Sequence, residues 1–278
     1  MPNRIHLGDN LPILQSLPSE SIDLVYIDPP FNTGKTQTRT QIRTTLNEDG
    51  DRTGFAGRRY ETIKLGSRGY LDLFDDYLAF LEPRLTETHR VLKPTGSIYF
   101  HIDYREVHYC KVLLDAIFGR DSFLNEIIWA YDYGGRTRRK WPPKHDNILW
   151  YAKNPDAYTF NQQAVDRIPY MAPTLVGKEK ASRGKLPTDT WWHTIVPTNS
   201  KEKTGYPTQK PMGILRRIIL ASSNPGDIVL DYFAGSGTTG AACLELGRQF
   251  ILVDCNLQAL DVMKTRFKNV EGIDWCAE

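Results

Sequence analysis

The stretch LVYIDPPFNTG, residues 24–34, ends an apolar run with a carboxylate, two prolines and an aromatic ring. Because proline cannot donate a hydrogen bond to a sheet, Pro29 and Pro30 must follow the end of a strand. Their rings restrict the backbone that carries Asp28 and Phe31. A rigidly held carboxylate beside an aromatic ring favours a reactive or ligand-binding site. The alternative is a strand-ending turn in which Asp28 caps a loop.

A second stretch, IVLDYFAGSGTTGAACLELGRQFILVDCN, places a glycine-rich turn between two apolar runs. Gly235, Gly237 and Gly240 match the G-x-G-x-x-G fingerprint of dinucleotide-binding folds. Asp254 follows about 20 residues later, where a carboxylate can bind ribose hydroxyls. However, Asp231 and the aromatics after it stand where a pyrophosphate would approach, and Asp-Pro-Pro-Phe has no role in hydride transfer. A nicotinamide cofactor is therefore disfavoured, and Asp231 is interpreted either as a ligand or as a turn residue.

Positive charge is concentrated in the middle of the chain. Residues 131–205 hold 13 Lys/Arg against 7 Asp/Glu, a balance of +6, whereas residues 1–130 balance at −3 and residues 206–278 at −1. This distribution indicates a polyanionic partner. The segment opens with basic residues interleaved with aromatics, which suit phosphates and exposed bases: Arg136, Arg138, Arg139 and Lys140 among Tyr131, Tyr133 and Trp141. The alternative is a solvated basic loop.

Alternating apolar runs and amphipathic stretches must position these residues. Strands are predicted at RIHLGD, IDLVYIDPP, KPTGSIYFHID, DIVLDYFAG and QFILVDCN, and helices in the stretches between them. Residues 71–85 have helical spacing, which Pro83 is expected to kink or break. The pattern predicts an α/β fold with a doubly wound, mainly parallel sheet. Residues 35–69 are polar and rich in Arg and Thr, and they predict a long mobile loop.

Composition excludes several protein classes. At 278 residues, with 40% hydrophobic and 24% charged residues, the chain suits one large α/β domain or one domain with an insertion. No stretch approaches the roughly 20 apolar residues of a membrane span, and MPNRIHLGDN lacks the apolar core of a signal peptide. Cys110, Cys243, Cys255 and Cys276 form no C-x-x-C pair, so neither a zinc site nor a disulfide framework is indicated. We therefore expect a cytoplasmic protein.

The D-P-P-F and F-A-G-S-G-T stretches together resemble the amino-group DNA methyltransferases, which use S-adenosylmethionine. The order of catalytic motif, basic segment and cofactor motif resembles the β class of that family. GYPTQKP (205–211) is similar to the T-Q-K-P stretch of that class, and IHLGDN to its N-terminal G-D motif, which contacts the adenine of the cofactor. The likeness covers nearly the whole chain. It departs at Phe31, where tyrosine is commoner.

The resemblance implies a Rossmann-like methyltransferase sheet in permuted order. It divides the chain into a catalytic half at 1–130, an inserted target-recognition region at 131–205 and a cofactor-binding half at 206–278. The implied catalytic residues are Asp28, Pro29, Pro30 and Phe31. The implied cofactor-binding residues are Asp9, Asn10, Thr208, Lys210, Asp231, Phe233, Ala234, Gly235, Ser236, Gly237, Thr238, Thr239 and Asp254. Arg136, Arg138, Arg139 and Lys140 are expected to bind DNA, and no metal is implied.

The chemistry of this family explains the rigid turn. The exocyclic amine of a base is a poor nucleophile because its lone pair is delocalised into the ring. Asp28 and the carbonyl of Pro29 can accept its two protons and direct the lone pair at the methyl group, while Phe31 stacks on a flipped base. The reaction requires the strands that end at Asp28 and Tyr232 to be neighbours. Asp9 ends a third strand, where it can contact the cofactor, cap the following helix, or do both.

Several alternatives stay open at this point. The acceptor geometry serves adenine N6 and cytosine N4 alike, and the resemblance favours adenine because of the aspartate at the first motif position. Carbon-5 methylation is disfavoured because no cysteine follows a proline. Methylation of RNA or of a protein amide, and a DNA-binding module without catalysis, rank lower. The expected partner is double-stranded DNA, and a second copy of the chain and a cognate restriction endonuclease are candidate partners.

Overall fold

The computed structural model describes residues 3–32, 35–46, 52–53, 59–72, 76–135, 137–197 and 199–277. The strands are β1 (Asn3–Leu7), β2 (Ile22–Ile27), β3 (Lys35–Leu46), β4 (Arg52–Thr53), β5 (Arg59–Asp72), β6 (Leu92–Ile102), β7 (Phe123–Ala130), β8 (His145–Ala152), β9 (Thr190–Trp192), β10 (Ile228–Asp231), β11 (Gln249–Asp254) and β12 (Ile273–Ala277). The helices are α1 (Asn10–Ser16), α2 (Tyr77–Val91), α3 (Val107–Phe118), α4 (Lys178–Arg183), α5 (Met212–Ser222), α6 (Thr238–Glu245) and α7 (Leu257–Arg266). Short 3₁₀ turns lie at Arg120–Ser122, Gln162–Ala164 and Pro173–Leu175.

A central sheet of nine strands has the order β12-β1-β11-β10-β2-β6-β8-β7-β9. Neighbouring strands from β12 to β6 pair in parallel, β8 runs antiparallel to both of its neighbours, and β9 pairs in parallel with β7. The α/β fold with a mainly parallel sheet is thus confirmed. Because β2 pairs with β10, and β11 lies between β10 and β1, the carboxyl ends of these four strands meet at one edge.

Helices cover both faces of the sheet. Helices α1, α2 and α3 pack on one face, and α5, α6 and α7 pack on the other. Strand β2 shows the alternation that this requires: Leu24 and Tyr26 belong to the core of the α5–α7 side, whereas Val25 and Ile27 belong to the core of the α1–α3 side. Burial on both faces explains why this strand is almost continuously apolar. Among the described residues, no helix has the length and apolar character to cross a membrane.

The sequence predicted a kink or a break at Pro83, and helix α2 runs through that residue without a break. Pro83 lacks the N–H that would donate to the carbonyl oxygen of Ala79, and the guanidinium of Arg84 donates to the next carbonyl oxygen, that of Phe80, at 2.8 Å. Leu81 and Leu85 on the same helix are fully buried. Tertiary packing therefore offsets the local preference of proline, which the sequence pattern alone could not show.

Two further predictions about chain organisation differ from the structure. Most of 35–69, predicted as a loop, lies in strands β3, β4 and β5, which form a separate antiparallel sheet. These strands lack apolar alternation, so the usual sequence signal for a strand is absent. The region 131–205, predicted as an insertion, contributes β8 and β9 to the central sheet. Its predicted boundary at 131 falls between β7 and β8, which pair with each other.

Candidate active site

The carboxylate of Asp28 lies directly after β2, at the edge where the parallel strands end. The ammonium group of Lys210 forms an ion pair with Asp28 Oδ2. The same ammonium nitrogen lies 5.0 Å from the centre of the Phe31 ring. Lys210 comes from the segment just before α5, so this contact joins the predicted catalytic turn to the T-Q-K-P stretch. Lys210, predicted as a cofactor-binding residue, thus also pairs with the predicted acceptor.

Tertiary hydrogen bonds hold the Pro-Pro turn. The hydroxyl of Tyr77 donates to the carbonyl oxygen of Pro30 at 2.6 Å. Asn32, which follows the turn with a positive φ of 52°, donates from Nδ2 to Glu106 Oε1 at 3.1 Å. Together with the fixed φ of each proline, these bonds restrict the backbone on both sides of Phe31.

A buried polar cluster lies behind Asp28. His101, at the end of β6, is fully buried, and its Nδ1 lies 2.8 Å from the hydroxyl of Tyr26 and 3.9 Å from Asp28 Oδ1. Its Nε2 lies 3.2 Å from Asp146 Oδ2. The hydroxyl of Tyr131 donates to the other oxygen of Asp146, also at 3.2 Å. Three neighbouring strands therefore contribute to one cluster of titratable groups.

A cavity of about 420 Å³ opens where the strands end. Its lining comprises Asp9, Asn10, Tyr26, Asp28, Pro30, Phe80, Arg84, Tyr206, Thr208, Lys210, Leu215, Asp231, Tyr232, Phe233, Ala234, Gly235, Ser236, Thr238, Thr239, Asp254, Cys255 and Asn256. Every predicted cofactor-binding residue except Gly237 lies in this lining. Of the predicted catalytic turn, Asp28 and Pro30 reach the cavity, while Phe31 packs with its ring centre 5.9 Å from that of His101.

The glycine turn approaches the end of β11 closely. The amide of Gly235, which has a φ of 49°, donates to Asp254 Oδ2 at 2.7 Å. The amide of Asn256 donates to Oδ1 at 2.8 Å. Burial raises the pKa of the Asp254 carboxyl, and these two hydrogen bonds oppose that shift. Asp254 therefore organises the turn as well as lining the cavity.

Gly237 faces the opposite way from the cavity. A Cβ atom at this position would come within 2.8 Å of the Met263 Cγ and 3.0 Å of the Phe267 ring. Its φ of 70° is also unfavourable for residues with a side chain. Gly237 therefore allows close packing of the turn against α7, and its cofactor role stays a prediction.

Asp231 is a buried carboxyl at the end of β10. Its two oxygens accept hydrogen bonds from the hydroxyl of Thr239 and from the amide of Phe233. Burial raises the pKa of Asp231 to about 7 against these bonds, and the nearby carboxylates of Asp28 and Asp254 act in the same direction as burial. In the described parts of the chain, neither Asp231 nor Asp254 forms an ion pair. This wall of the cavity therefore favours a cationic ligand.

Arg84, which sequence reasoning missed, organises the part of the cavity at the end of β1. Asp9 caps α1 by accepting from the amide of Leu11 at 3.1 Å, as its position before a helix predicts. Arg84 donates to Asp9 Oδ1 at 2.9 Å and to Asn10 Oδ1 at 2.6 Å. Asn10 Nδ2 in turn donates to the carbonyl oxygen of Tyr232 at 2.8 Å. Asp9 therefore both caps the helix and lines the cavity.

Of the predicted DNA-binding residues, Arg138, Arg139 and Lys140 are not part of the cavity lining. Arg138, Arg139 and Lys140 are exposed, and Arg136 is outside the described residues. Trp141 beside them is 94% exposed. The ammonium group of Lys144 donates to two main-chain carbonyls, those of residues 133 (2.7 Å) and 135 (2.9 Å), which closes the base of the segment.

Other missed residues had no local signal. Tyr26 lies within the apolar pattern of a strand, and His101 and Asp146 stand in separate strands with no motif around them. Only the pairing of β6 with β2 and β8 brings them together. Tyr206 packs against the glycine turn: one of its ring carbons would lie 3.1 Å from a Cβ atom added at Gly235.

Comparisons with known proteins agree with this geometry. The family model described as DNA methylase, N6/N4 type, matches residues 22–265. The chain is 34% identical over 278 residues to the type II methyltransferase M.HpaI of Haemophilus parainfluenzae, a match that covers 99% of this chain and 78% of that protein. It is also 34% identical over 262 residues to the DNA adenine methyltransferase YhdJ of Escherichia coli (strain K12), a match that covers 90% of this chain and 77% of that protein.

Two solved structures show the same fold. The M1.HpyAVI–SAM complex superposes with a TM-score of 0.60 at 22% identity, covering 95% of this chain and 98% of the other. The PvuII DNA methyltransferase (cytosine-N4-specific) has a TM-score of 0.60 at 18% identity, covering 98% and 95%. The family match extends over most of the sheet, from β2 to β11 in the chain. This chain therefore belongs to the N6/N4 family of amino-group DNA methyltransferases.

Proposed function

We propose that this protein transfers a methyl group from S-adenosylmethionine directly to the N6 amine of an adenine that is flipped out of double-stranded DNA. The observation that carries the proposal is the pairing of β2 with β10, which places Asp28 in the same cavity as Asp231 and the glycine turn. An acceptor for the amine and a site for the methyl donor therefore share one space. Direct transfer needs this proximity and no covalent enzyme intermediate.

The cavity fits the proposed cofactor in size and charge. Its volume of about 420 Å³ is within the range of small-molecule sites. Asp231 and Asp254 offer negative charge and hydrogen-bond acceptors, and Phe80 and Phe233 offer apolar rings. S-adenosylmethionine, when bound, supplies a methyl group on a positively charged sulfur. M1.HpyAVI and a putative DNA modification methylase of Thermus thermophilus, which have the same fold, were both solved with this molecule.

Asp28 is the proposed acceptor of an amine proton. Its Oδ1 is buried towards His101, which leaves Oδ2 for the amine. Because a carboxylate oxygen accepts more than one hydrogen bond, Oδ2 can bind the amine beside the ammonium group of Lys210. The carbonyl of Pro29 is the proposed second acceptor. Holding both protons favours a pyramidal nitrogen whose lone pair points towards the cofactor.

Phe31 is the proposed stacking partner of the flipped base. One side of its environment is filled by His101 and Lys210. The ring is half-buried, which leaves it able to contact a planar ligand. A purine would cover more of the ring than a pyrimidine would.

Arg138, Arg139 and Lys140 are proposed to contact the DNA outside the cavity, in a target-recognition region whose exposed basic segment lies between β7 and β8. Their exposure supports this role, and basic side chains both neutralise phosphates and read base edges. Two relatives are named type II methyltransferases, which supports the proposal that this protein acts together with a cognate restriction endonuclease. The resemblance also suggests a homodimer. Analytical ultracentrifugation of the protein with and without DNA would test this proposal.

The identity of the methylated base separates the adenine proposal from its alternative. YhdJ is named as an adenine methyltransferase, whereas the PvuII enzyme of the same fold is cytosine-N4-specific. Genomic DNA from cells that express the chain should be digested to nucleosides and analysed by mass spectrometry. We expect a higher level of N6-methyladenine than in cells that carry an empty vector. Appearance of N4-methylcytosine without N6-methyladenine would overturn the base assignment.

A further inference from the structure

The carboxyl groups that line the cavity fall into two kinds, those with a cationic partner and those without. The acidic residues of the lining are Asp9, Asp28, Asp231 and Asp254, and its basic residues are Arg84 and Lys210. Arg84 pairs with Asp9, and Lys210 pairs with Asp28. Asp231 and Asp254 form no ion pair within the part of the chain that the structure describes. A cationic ligand therefore finds uncompensated acceptors at Asp231 and Asp254, whereas Asp28 is already paired.

Lys210 holds the Asp28 carboxylate in place. Its ammonium group donates to Oδ2, while Oδ1 is buried and has no hydrogen-bond partner among the described residues. The two side chains are only 12% and 15% exposed, so water screens their attraction less than it would at the surface. The same ammonium nitrogen lies 5.0 Å from the centre of the Phe31 ring, a cation–π distance. One side chain thus contacts both groups that are proposed to bind the base.

The backbone that carries Lys210 is itself fixed on both sides. On one side, Gln209 Oε1 accepts hydrogen bonds from the amide and the hydroxyl of Thr204 at 2.8 Å and 2.9 Å, and Gln209 Nε2 donates to the carbonyl oxygen of Glu202 at 2.6 Å. On the other side, Pro211 restricts the chain directly before α5 begins. The position of the ammonium group is therefore set by the fold around it.

The proposed reaction requires a cation and an amine to bind within reach of the same carboxylate. S-adenosylmethionine carries a sulfonium whose methyl group must face the amine held by Asp28. An Asp28 without a partner would attract that sulfonium and would no longer be free to hold the amine. Its charge already extends to the cofactor side of the cavity, because burial and then the charge of Asp28 raise the pKa of Asp231 to about 7.

We propose that Lys210 is a positioning residue that reserves Asp28 for the base amine, by keeping this carboxylate paired while the cationic cofactor binds at Asp231 and Asp254. This inference rests on the proposed function. The ion pair is kept throughout, since a carboxylate oxygen can accept hydrogen bonds from the ammonium group and from the amine together. Lys210 thereby separates the site for the methyl donor from the site for the methyl acceptor.

The direct test is Lys210→Met, which removes the charge and keeps an unbranched side chain. Calorimetry gives the affinities for S-adenosylmethionine and for S-adenosylhomocysteine, whose sulfur is uncharged, so their ratio isolates the sulfonium. We expect this ratio to rise about tenfold in Lys210→Met, the smaller end of what one nearby charge does to the ionisation of another. Lys210→Arg keeps the charge and should keep the wild-type ratio. Single-turnover methylation by Lys210→Met should fall about a hundredfold, the cost of misplacing a reacting group by about 1 Å.

Matched variants separate this role from general stability. Lys111 pairs with Asp115 at 2.7 Å and lies 4.0 Å from the centre of the Phe123 ring, a similar arrangement that is not part of the cavity lining, so Lys111→Met should change neither the ratio nor the rate. Partial unfolding weakens both ligands alike and cannot raise the ratio. In the double variant with Asp28→Asn and Lys210→Met, the ratio should return to the wild-type value, because the carboxylate that attracts the sulfonium is gone.

Two results would overturn the inference: a wild-type ratio in Lys210→Met, or the same rise with and without the Asp28 carboxylate. Failure of the wild-type protein to bind S-adenosylmethionine and to methylate DNA would instead overturn the proposed function.

Discussion

Asp231 gives the sharpest quantitative prediction for cofactor binding. Its pKa is raised to about 7 by burial, and the proposed ligand carries a sulfonium and an ammonium group. A cation beside the carboxyl favours the ionised form, so binding should release a proton at acidic pH. Only the ionised fraction is competent to bind tightly. That fraction is about one tenth at about pH 6 and about nine tenths at about pH 8, so the affinity should rise about tenfold over this interval.

Isothermal calorimetry in buffers of different ionisation enthalpy measures both the affinity and the protons released. Asp231→Asn has no titrating group at this position and should bind more weakly, with an affinity that no longer rises with pH. Any titration of the ligand itself would remain in the variant and can be subtracted. Asp261→Asn, at an exposed carboxyl on α7, is the matched control and should behave as the wild type does. A tenfold rise that persists in Asp231→Asn would refute the reasoning.

Protein stability gives an independent readout of the same group. The folded-state pKa of Asp231 is raised above its ordinary value of 3.8, so below about pH 4 the carboxyl is protonated in both states. As pH rises towards about 7, the Asp231 carboxyl ionises in the unfolded state but stays largely protonated in the folded state. The free energy of unfolding should therefore decrease. Asp231→Asn should show a smaller decrease than the wild type over this interval in denaturant titrations. Asp254, whose pKa is also raised, adds to the decrease in both proteins.

Three further predictions concern the cavity, the glycine turn and the basic segment. Asp254→Ala should weaken binding of S-adenosylmethionine by about 1–3 kcal/mol, because the ribose hydroxyls of the cofactor lose their acceptor. Unchanged affinity by calorimetry would show that Asp254 has no role in cofactor binding. Gly237→Ala should lower the free energy of unfolding by about 1–3 kcal/mol, since its Cβ would meet Met263 at 2.8 Å; a wild-type melting temperature would disprove this packing. Arg139→Ala should flatten the log–log salt dependence of DNA binding by about one unit if it contacts a phosphate, or relax sequence preference if it reads a base. DNA binding and sequence selectivity equal to those of the wild type would show that Arg139 is a surface residue with no role in DNA binding.

Local sequence patterns were sufficient to predict which strand ends and turns form the site. The Pro-Pro pair marks where β2 ends, and the glycine turn marks where β10 gives way to α6. Since ligands bind at the carboxyl ends of parallel strands, the meeting of Asp28, Asp231 and Asp254 at one edge could be anticipated before the strand order was known.

Contacts between distant residues could not be anticipated in this way. Lys210 pairs with Asp28 across 182 positions of sequence, and the T-Q-K-P pattern alone does not specify that partner. The cluster around His101 depends on β8 lying beside β6, an antiparallel pairing within a region expected to be an insertion. The direction of Gly237, towards α7 and away from the cavity, likewise depends on how the helix packs against the turn. Each of these contacts depends on tertiary structure that no single segment encodes.

The central claim is that Asp28 aligns the amine for direct transfer, and single-turnover methylation with labelled cofactor tests it most directly. At saturating DNA and S-adenosylmethionine, Asp28→Ala should lose about a hundredfold to a thousandfold in rate, the typical cost of one preorganised hydrogen-bonding group. Asp28→Asn, which keeps an acceptor oxygen, should retain more of the rate than Asp28→Ala. Cofactor affinity should stay close to wild type in both. A rate for Asp28→Ala equal to that of the wild type would contradict the account.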